Sequence, residues 1–186
     1  MEKASRYDGL AAWYDAFVNS TDLTTVELDS LGRLLGEGPG RCLDLGCGTG
    51  IAFATLNRLH WSIVGVDLSA DQPAVAGERA EPVGAELHQA DAAHLPLAAD
   101  SFDAVVSLAT HTDFEDAAAA FAESARVLRP GAASSMSAST PASQAPRSSA
   151  EPTSRTSSIL AIGDAVGGMR RPDSATAEMA SAGASA

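Results

Sequence analysis

One glycine-rich stretch, Cys42–Gly50, constrains the fold of this chain more than any other feature of its sequence. A largely apolar, strand-like run over 41–45 leads directly into glycines at alternate positions, Gly46, Gly48 and Gly50, and a helical pattern follows. Because glycine has no Cβ, a ligand can lie against bare backbone in such a turn, and the helix start adds unpaired N–H groups. The pattern therefore predicts a strand–turn–helix cradle of the kind that binds nucleotides.

The spacing of these glycines separates two classes of nucleotide site. The dinucleotide fingerprint is G-x-G-x-x-G/A, and Gly46 and Gly48 fit it, but Ile51 stands at the third glycine position. Asp44 also lies inside the strand, where dehydrogenases normally have an apolar residue. A nicotinamide-dependent oxidoreductase is therefore the less favoured alternative. Taken alone, the turn could also be a plain strand–helix connection.

The stretch resembles motif I of the class I S-adenosylmethionine-dependent methyltransferases, in which an apolar residue precedes L-D-L-G-C-G-T-G. The resemblance implies a Rossmann-like α/β fold that binds S-adenosyl-L-methionine as cofactor and transfers its methyl group to an acceptor. It further implies that motif I contacts the cofactor through four residues: Asp44, Gly46, Cys47 and Gly48.

Two acids that follow predicted strands fit the same family. Asp67 ends an apolar run 21 residues after Gly46, where a carboxylate can accept hydrogen bonds from both ribose hydroxyls. The resemblance implies this role for Asp67, with Leu68 packing on the adenine. It also implies that Asp91 accepts from the adenine amino group and that the backbone N–H of Ala92 meets a ring nitrogen. An ordinary loop cap is the other interpretation of Asp91.

The fourth predicted strand, 101–108, resembles the family pattern D-x-x-F-D-x-V. The resemblance implies that the segment from Ser107 to Asp113 borders the methionine part of the cofactor and the methyl acceptor. Ser107 is thus a predicted cofactor contact. His111 is the candidate general base, with Asp113 as its partner, and a base is needed only if the acceptor has a proton to lose. A structural role for His111 at the next helix entrance is the alternative.

Aromatic residues are grouped ahead of motif I, in the segment Tyr7–Asp15. A similar segment, Y-D-x-x-A-x-x-Y-D, forms part of a lid over the cofactor in the resembled family. The resemblance implies that Tyr14 lies near the methionine end of the cofactor. The i, i+3, i+4, i+7 spacing of Leu10, Trp13, Tyr14 and Phe17 equally predicts a helix that packs on the domain, and the two roles are compatible.

These patterns predict a three-layer, Rossmann-like α/β methyltransferase sheet that is incomplete, with its late strands absent, and N-terminal helices. The sequence visibly supplies four strands. We divide the chain into an N-terminal helical lid (1–40), an S-adenosylmethionine-binding core (41–131) and an Ala/Ser/Pro-rich tail (132–186). The tail is predicted to be disordered, because it has no aromatic residue and little apolar surface to offset its ordering entropy.

The abrupt change of composition suggests a cause. The family pattern is lost after about Gly131, as expected if the C-terminal part is missing or the reading frame shifts there. Within the tail, only Ile159–Ile162 could form a short apolar element. The alternative to an active enzyme is therefore an inactive, cofactor-binding remnant of a methyltransferase.

Composition limits the partners. The formal net charge of −12 argues against nucleic acid and anionic membranes, and no apolar run is long enough to span a bilayer. We expect a cytoplasmic protein with a small-molecule methyl acceptor, whereas its oligomeric state stays open. Cys42 and Cys47 fit no zinc-binding spacing, so no metal is expected and both are interpreted as reduced structural thiols.

Overall fold

The computed structural model describes residues 5–20, 22–110, 113–138 and 158–163. Its helices are α1 (Ala11–Asn19), α2 (Asp22–Leu35), α3 (Phe53–Arg58), α4 (Gln72–Ala80) and α5 (Ala117–Val127). Its strands are β1 (Arg41–Leu45), β2 (Ser62–Asp67), β3 (Glu86–Gln89), β4 (Phe102–Leu108), β5 (Leu128–Ala138) and β6 (Ser158–Gly163).

The strands form one sheet in the order β3-β2-β1-β4-β5-β6. All neighbouring pairs from β3 to β5 are parallel, and β6 pairs antiparallel with β5. Strand β1 is central, since Cys42 lies opposite Ile63 of β2 and Ala104 of β4. The order in which successive strands are added therefore reverses between β1 and β4, which remain parallel. Ligands of such sheets bind at this switch point, outside the carboxyl ends of the strands.

Apolar side chains cover both faces of the sheet. Successive residues of a strand point to opposite faces. Accordingly, Cys42 of β1 belongs to a buried cluster with Phe53 of α3, whereas Leu43 belongs to a second cluster with Val127 of α5. Helices thus pack on both sides of the sheet, as expected for parallel strands buried on two faces. The predicted three-layer, Rossmann-like class with N-terminal helices is confirmed.

The C-terminal region corrects one detail of the prediction. Strand β4 is not an edge, because β5 continues past Gly131 and pairs with β4. The paired residues run from Ala104 opposite Ala133 to Leu108 opposite Ser137. Strand β6 includes the apolar element Ile159–Ile162. Strand pairing uses backbone N–H and C=O groups, so a run of small residues can join an open edge that side-chain composition alone does not predict. The other residues of the predicted tail lie outside the described ranges, and the division of the chain into three segments stays a prediction.

Within the described ranges, no helix is long and apolar enough to cross a membrane. In the same part of the chain, no group of three or more His, Cys, Asp or Glu side chains is arranged to hold a metal ion. Both cysteines are free and buried, and burial is the main cause that raises the pKa of each thiol.

Candidate functional site

A cavity of about 470 Å³ lies at the carboxyl ends of β1, β2 and β4. Nine of the predicted cofactor contacts line it: Tyr14, Asp44, Gly46, Cys47, Gly48, Asp67, Leu68, Asp91 and Ala92. Local sequence places them there, because each of these residues, apart from Tyr14, ends a parallel strand or follows one. The structure thus brings the motifs together, while the contacts with a cofactor stay predictions.

The turn after β1 is a cradle in which Gly46 and Gly48 both have a left-handed backbone, and at Gly46 the surroundings also leave no space for a side chain. Gly46 has φ +73°, and a Cβ at this position would overlap Thr110, lying 2.7 Å from its Cβ. Thr110 Oγ1 donates to the Gly46 carbonyl at 2.9 Å, so the side chain cannot easily move away. Gly48 has φ +52°, and its Cβ would meet the Tyr14 ring at 3.6 Å. The bare backbone of this turn therefore faces the cavity, which fits a nucleotide-type ligand.

Asp67 links the end of β2 to this glycine turn. Its Oδ2 accepts from the Gly48 N–H at 2.8 Å, and its Oδ1 accepts from the Ser69 N–H at 2.9 Å. Burial raises the pKa of Asp67, and these two backbone hydrogen bonds oppose the rise. The carboxylate is consequently held in a fixed orientation on the cavity wall, beside the backbone of motif I.

Asp44 is the most deeply buried carboxyl of the site, with 2% of its surface exposed. Burial, and after it the nearby charge of Asp67, together raise its pKa to about 7. No described residue donates a hydrogen bond that lowers this pKa. Asp44 therefore titrates near neutral pH and places a carboxyl group directly beneath the glycine turn.

The wall after β3 is formed by Asp91 and Ala92, both of which line the cavity. Asp91 Oδ1 accepts from the Ala93 N–H at 3.0 Å, so this side chain does cap its own loop. The Ala90 N–H donates to the Asp67 carbonyl at 2.9 Å and joins this loop to the end of β2. The loop-cap role and the predicted adenine contact are thus compatible in position.

Residues 5–9 form an N-terminal cover that closes one side of the cavity. Tyr7 Oη donates to Asp113 Oδ2 at 2.7 Å, and an Arg6 Nη donates to Asp113 Oδ1 at 2.9 Å. At the other side, the Ser69 hydroxyl donates to Asp8 Oδ1 at 2.8 Å. The cover therefore bridges the segment after β4 and the segment after β2.

Helix α1 continues the cover and places Tyr14 against Tyr7, with ring centroids 5.5 Å apart in an edge-on arrangement. Burial is the main cause that raises the pKa of Tyr14 to about 12, so its hydroxyl stays protonated. Arg79 of α4 holds α1 in place, because it donates to Asp15 at 2.6 Å and to the Thr49 carbonyl at 2.7 Å. Tyr14 therefore both packs within the cover and lines the cavity, and these are the two compatible positions that the sequence predicted for it.

One predicted contact, Ser107, does not line this cavity, and a second predicted site residue, His111, has no described position. Ser107 is fully buried and does not line the cavity; it shares the strand face of Val105, beneath the sheet, while Leu108 and Thr110 reach the cavity instead. His111 lies outside the described residues, so its predicted catalytic role remains a prediction.

Four residues that line the cavity were not predicted individually as site residues: Arg6, Tyr7, Gln72 and Thr110. The repeated Tyr-Asp pair at 7–8 and 14–15 was the available signal for the cover. No local signal identifies Thr110 as the partner of Gly46, since they are far apart in sequence and meet only through the pairing of β1 with β4.

Comparison with known proteins gives an independent result. A family described as a methyltransferase domain matches residues 43–135. An O-methyltransferase of Pyrenophora dematioidea is 37% identical over 117 residues, 60% of this chain and 43% of that protein. A demethylmenaquinone methyltransferase of Mycolicibacterium paratuberculosis is 37% identical over 139 residues, 69% of this chain and 55% of that protein. The chain thus spans about half the length of these curated relatives.

The fold has a counterpart among solved structures. A methyltransferase from Thermotoga maritima, described as S-adenosylmethionine-dependent and a possible histamine N-methyltransferase, has a TM-score of 0.58 and 26% identity. The similarity covers 70% of this chain and 59% of that one.

Proposed function

We propose that this chain, which belongs to the methyltransferase-domain family of class I S-adenosylmethionine-dependent enzymes, binds S-adenosylmethionine in the cavity and methylates a small-molecule acceptor. One observation carries the proposal. The bare backbone at Gly46 and Gly48 and the fixed Asp67 carboxylate face the same cavity, with Gly48 N and Asp67 Oδ2 joined at 2.8 Å.

The residues around the cavity suit the parts of this cofactor. Asp67 accepts from the ribose hydroxyls, Asp91 and the Ala92 N–H hold the adenine, and the motif I backbone lies along the remainder. Carboxylates dominate the wall, and among the described lining residues Arg6 is the only Lys or Arg. Such a wall favours a cation. When bound, the cofactor supplies a methyl group on a positively charged sulfur, which is already a good electrophile.

The protein's part in the reaction is mainly positioning and exclusion of water. Tyr14 and the N-terminal cover close the cavity over the glycine turn, while Thr110 and Asp113 line its side beyond β4. We propose that the methyl acceptor binds beside Thr110 and Asp113 and approaches the cofactor from the β4 side of the cavity. If the acceptor loses a proton, His111 is the proposed base, and Asp113 is the described carboxylate beside that segment.

The acceptor is proposed to be a small organic molecule. The names of the relatives from Pyrenophora and Mycolicibacterium include an O-methyltransferase and a demethylmenaquinone methyltransferase. The cavity of about 470 Å³ is in the range of small-molecule sites. The cover contributes aromatic edges and the Arg6–Asp113 ion pair to the part of the wall where the acceptor would bind.

Calorimetric titration with S-adenosylhomocysteine tests cofactor binding. We expect saturable binding that Asp67→Asn weakens by about 100-fold, because hydrogen bonds to a charged acceptor are among the stronger ones. Asp29→Asn, at an exposed site on α2, is the matched control and should bind like the wild type. Binding of NAD without binding of S-adenosylhomocysteine would overturn the proposal in favour of an oxidoreductase.

Turnover is tested separately, by following S-adenosylhomocysteine formation with a panel of hydroxylated and amine-bearing small aromatic compounds. We expect formation that depends on one class of acceptor. Cofactor binding without formation for any acceptor would favour the inactive, cofactor-binding remnant.

A further inference from the structure

We propose that Gln72 is a further cofactor-binding residue, whose side-chain carbonyl oxygen accepts a hydrogen bond from a ribose hydroxyl. Gln72 is the first residue of α4 and lines the cavity. It belongs to none of the motifs that identified the other contacts. The inference rests on the proposed function and adds a second acceptor for the same part of the ligand.

The first observation is an unsatisfied polar atom. Gln72 is 2% exposed, yet its Oε1 has no hydrogen-bond partner in the part of the chain that the structure describes. Buried carbonyl oxygens are nearly always hydrogen-bonded, because burial without a donor is unfavourable. An acceptor that is buried, without a partner and on a cavity wall is accounted for by a ligand that supplies the donor.

The second observation is where this oxygen lies. A Cβ at Gly48 would be 3.9 Å from Gln72 Oε1, so the amide closely borders the glycine turn. The Gly48 N–H is the group that Asp67 Oδ2 accepts from at 2.8 Å. Gln72 and Asp67 therefore flank the same glycine, from α4 and from the end of β2.

The position of Gln72 indicates which hydrogen-bond donor of the ligand it would accept from. The adenine amino group is assigned to Asp91, in the loop after β3. The ribose hydroxyls are assigned to Asp67, and Gln72 shares its neighbour Gly48. Both oxygens of Asp67 already accept a backbone N–H, from Gly48 and from Ser69, so a second acceptor beside Asp67 can share the two ribose hydroxyl protons. The amide oxygen of Gln72 thus complements the Asp67 carboxylate without adding charge to an already acidic wall.

The backbone fixes the side chain at this place. Gln72 stands directly before Pro73, at the start of α4, where the missing N–H of proline costs no helical hydrogen bond. Asp71 just before it is held by the Ser69 hydroxyl at 2.7 Å. Because α4 follows β2 closely, its first turn is anchored to the same segment that carries Asp67.

The test is a cycle of two ligands and two variants, measured by calorimetry. The ligands are S-adenosylhomocysteine and its 2′,3′-dideoxy analogue, which lacks both ribose hydroxyls. Gln72→Met keeps the length of the side chain and removes the acceptor, whereas Gln72→Glu keeps an acceptor at the same place. Melting of the ligand-free variants shows whether each is folded.

We expect Gln72→Met to weaken S-adenosylhomocysteine binding by about tenfold and to leave binding of the dideoxy analogue unchanged. Gln72→Glu keeps an acceptor but adds a buried acid beside Asp67, so we expect its S-adenosylhomocysteine binding to be weaker than the wild type's and stronger than that of Gln72→Met, and to improve as the pH is lowered. If Gln72→Met does not fold, we expect Gln72→Leu to show the same roughly tenfold smaller preference for S-adenosylhomocysteine over the dideoxy analogue, because Asp67 still accepts from the ribose.

Two results would overturn the inference while leaving the proposed function intact. In the first, Gln72→Met binds S-adenosylhomocysteine like the wild type, whereas Asp67→Asn binds it more weakly. This result would mean that the amide oxygen of Gln72 bonds to an ordered water and not to the ligand. In the other, Gln72→Met weakens both ligands equally, which indicates a purely structural role. If the wild type fails to bind S-adenosylhomocysteine at all, both proposals are wrong.

Discussion

Two regions of the cavity contain paired carboxylates. Asp44 and Asp67 form its floor, at the ends of β1 and β2, whereas Asp8 of the N-terminal cover lies close to Asp71, which accepts from the Gly9 N–H of the cover. The pKa values of the two pairs shift in opposite directions. On the floor, burial raises the pKa of both groups. At the cover, the hydrogen bond from the Ser69 hydroxyl is the main cause that lowers the pKa of Asp8 and of Asp71.

The difference shows which part of the site is preformed. The floor is fixed by strands β1 and β2, and its acids stay in place although their burial is unfavourable. The cover is held by exposed hydrogen bonds, including Gly9 N–H to Asp71 at 2.6 Å and Ala70 N–H to Asp8 at 3.1 Å. Such contacts open without unfolding the sheet. The floor therefore supplies rigidity, and the cover is the part that can admit a ligand.

A change at the floor should have the largest effect. Gly46→Ala places a side chain at φ +73° and against Thr110, so we expect the free energy of unfolding to fall by about 3 kcal/mol and cofactor binding to be lost. Chemical denaturation and calorimetry measure the two effects.

Gly77→Ala is the matched control, since no atom lies within 4 Å of a Cβ in that helical position. It should raise the free energy of unfolding by about 0.5–1 kcal/mol and leave binding unchanged. Equal stability of the two variants would contradict the view that the floor is fixed by its backbone.

The second prediction concerns pH. Because the folded-state pKa of Asp44 is raised from 3.8 to about 7, the folded state binds the extra proton between these values. The contribution of this group to stability is full below pH 4 and is lost as the pH rises through 7. Asp44→Asn removes the titration, so at pH 8 we expect it to be about 2 kcal/mol more stable than the wild type, with little difference at pH 4.

Denaturant unfolding at several pH values measures this difference. Asp29→Asn, on the exposed side of α2, should run parallel to the wild type at every pH. A difference between Asp44→Asn and the wild type that does not change with pH would show that folding leaves the pKa of Asp44 unshifted, and the description of the floor would then be wrong.

The smallest effect is expected at the cover. Asp8→Asn weakens the hydrogen bonds from the Ser69 hydroxyl and the Ala70 N–H, both of which end on Asp8 Oδ1. Hydrogen exchange of the Gly9 and Ala70 amides should become about threefold faster, as for exposed charged contacts, with little change in global unfolding.

The cover also has its own pH dependence. Since the pKa of Asp8 is lowered, its contacts contribute above the ordinary pKa of 3.8 and are lost as the pH falls through the lowered value. Exchange of these amides, relative to the intrinsic rate, should therefore increase only in acid. An increase towards neutral pH, as at Asp44, would remove the contrast between floor and cover.

The sequence predicted the floor well and the cover incompletely. Gly46 and Asp67 belong to short local patterns, and each pattern specifies the residue's place at a strand end. Asp113 appeared only as a partner of His111, whereas the structure bonds it to Tyr7, distant in sequence, at 2.7 Å. Gln72 had no pattern at all, since its significance lies in being buried without a partner.

The sheet illustrates the same limit. Strands β1, β2 and β4 were recognised from their largely apolar sequence, because buried parallel strands require apolar runs. Strand β3, at the edge of the sheet, has the polar sequence Glu-Leu-His-Gln and was expected only from the family pattern. Strand β5 was missed beyond Gly131, since its residues are small and its pairing with β4 depends on backbone groups that any residue carries.

The sequence by itself determined the fold class and which residues form the floor, because these depend on periodicity and on residues close together along the chain. Only the tertiary structure decided which groups converge on the cavity from distant segments: Thr110 on Gly46, Tyr7 on Asp113, and Gln72 on Gly48. It also set the directions of the pKa shifts. Burial and hydrogen-bond partners arise from packing, and identical aspartates acquire opposite properties according to what surrounds them.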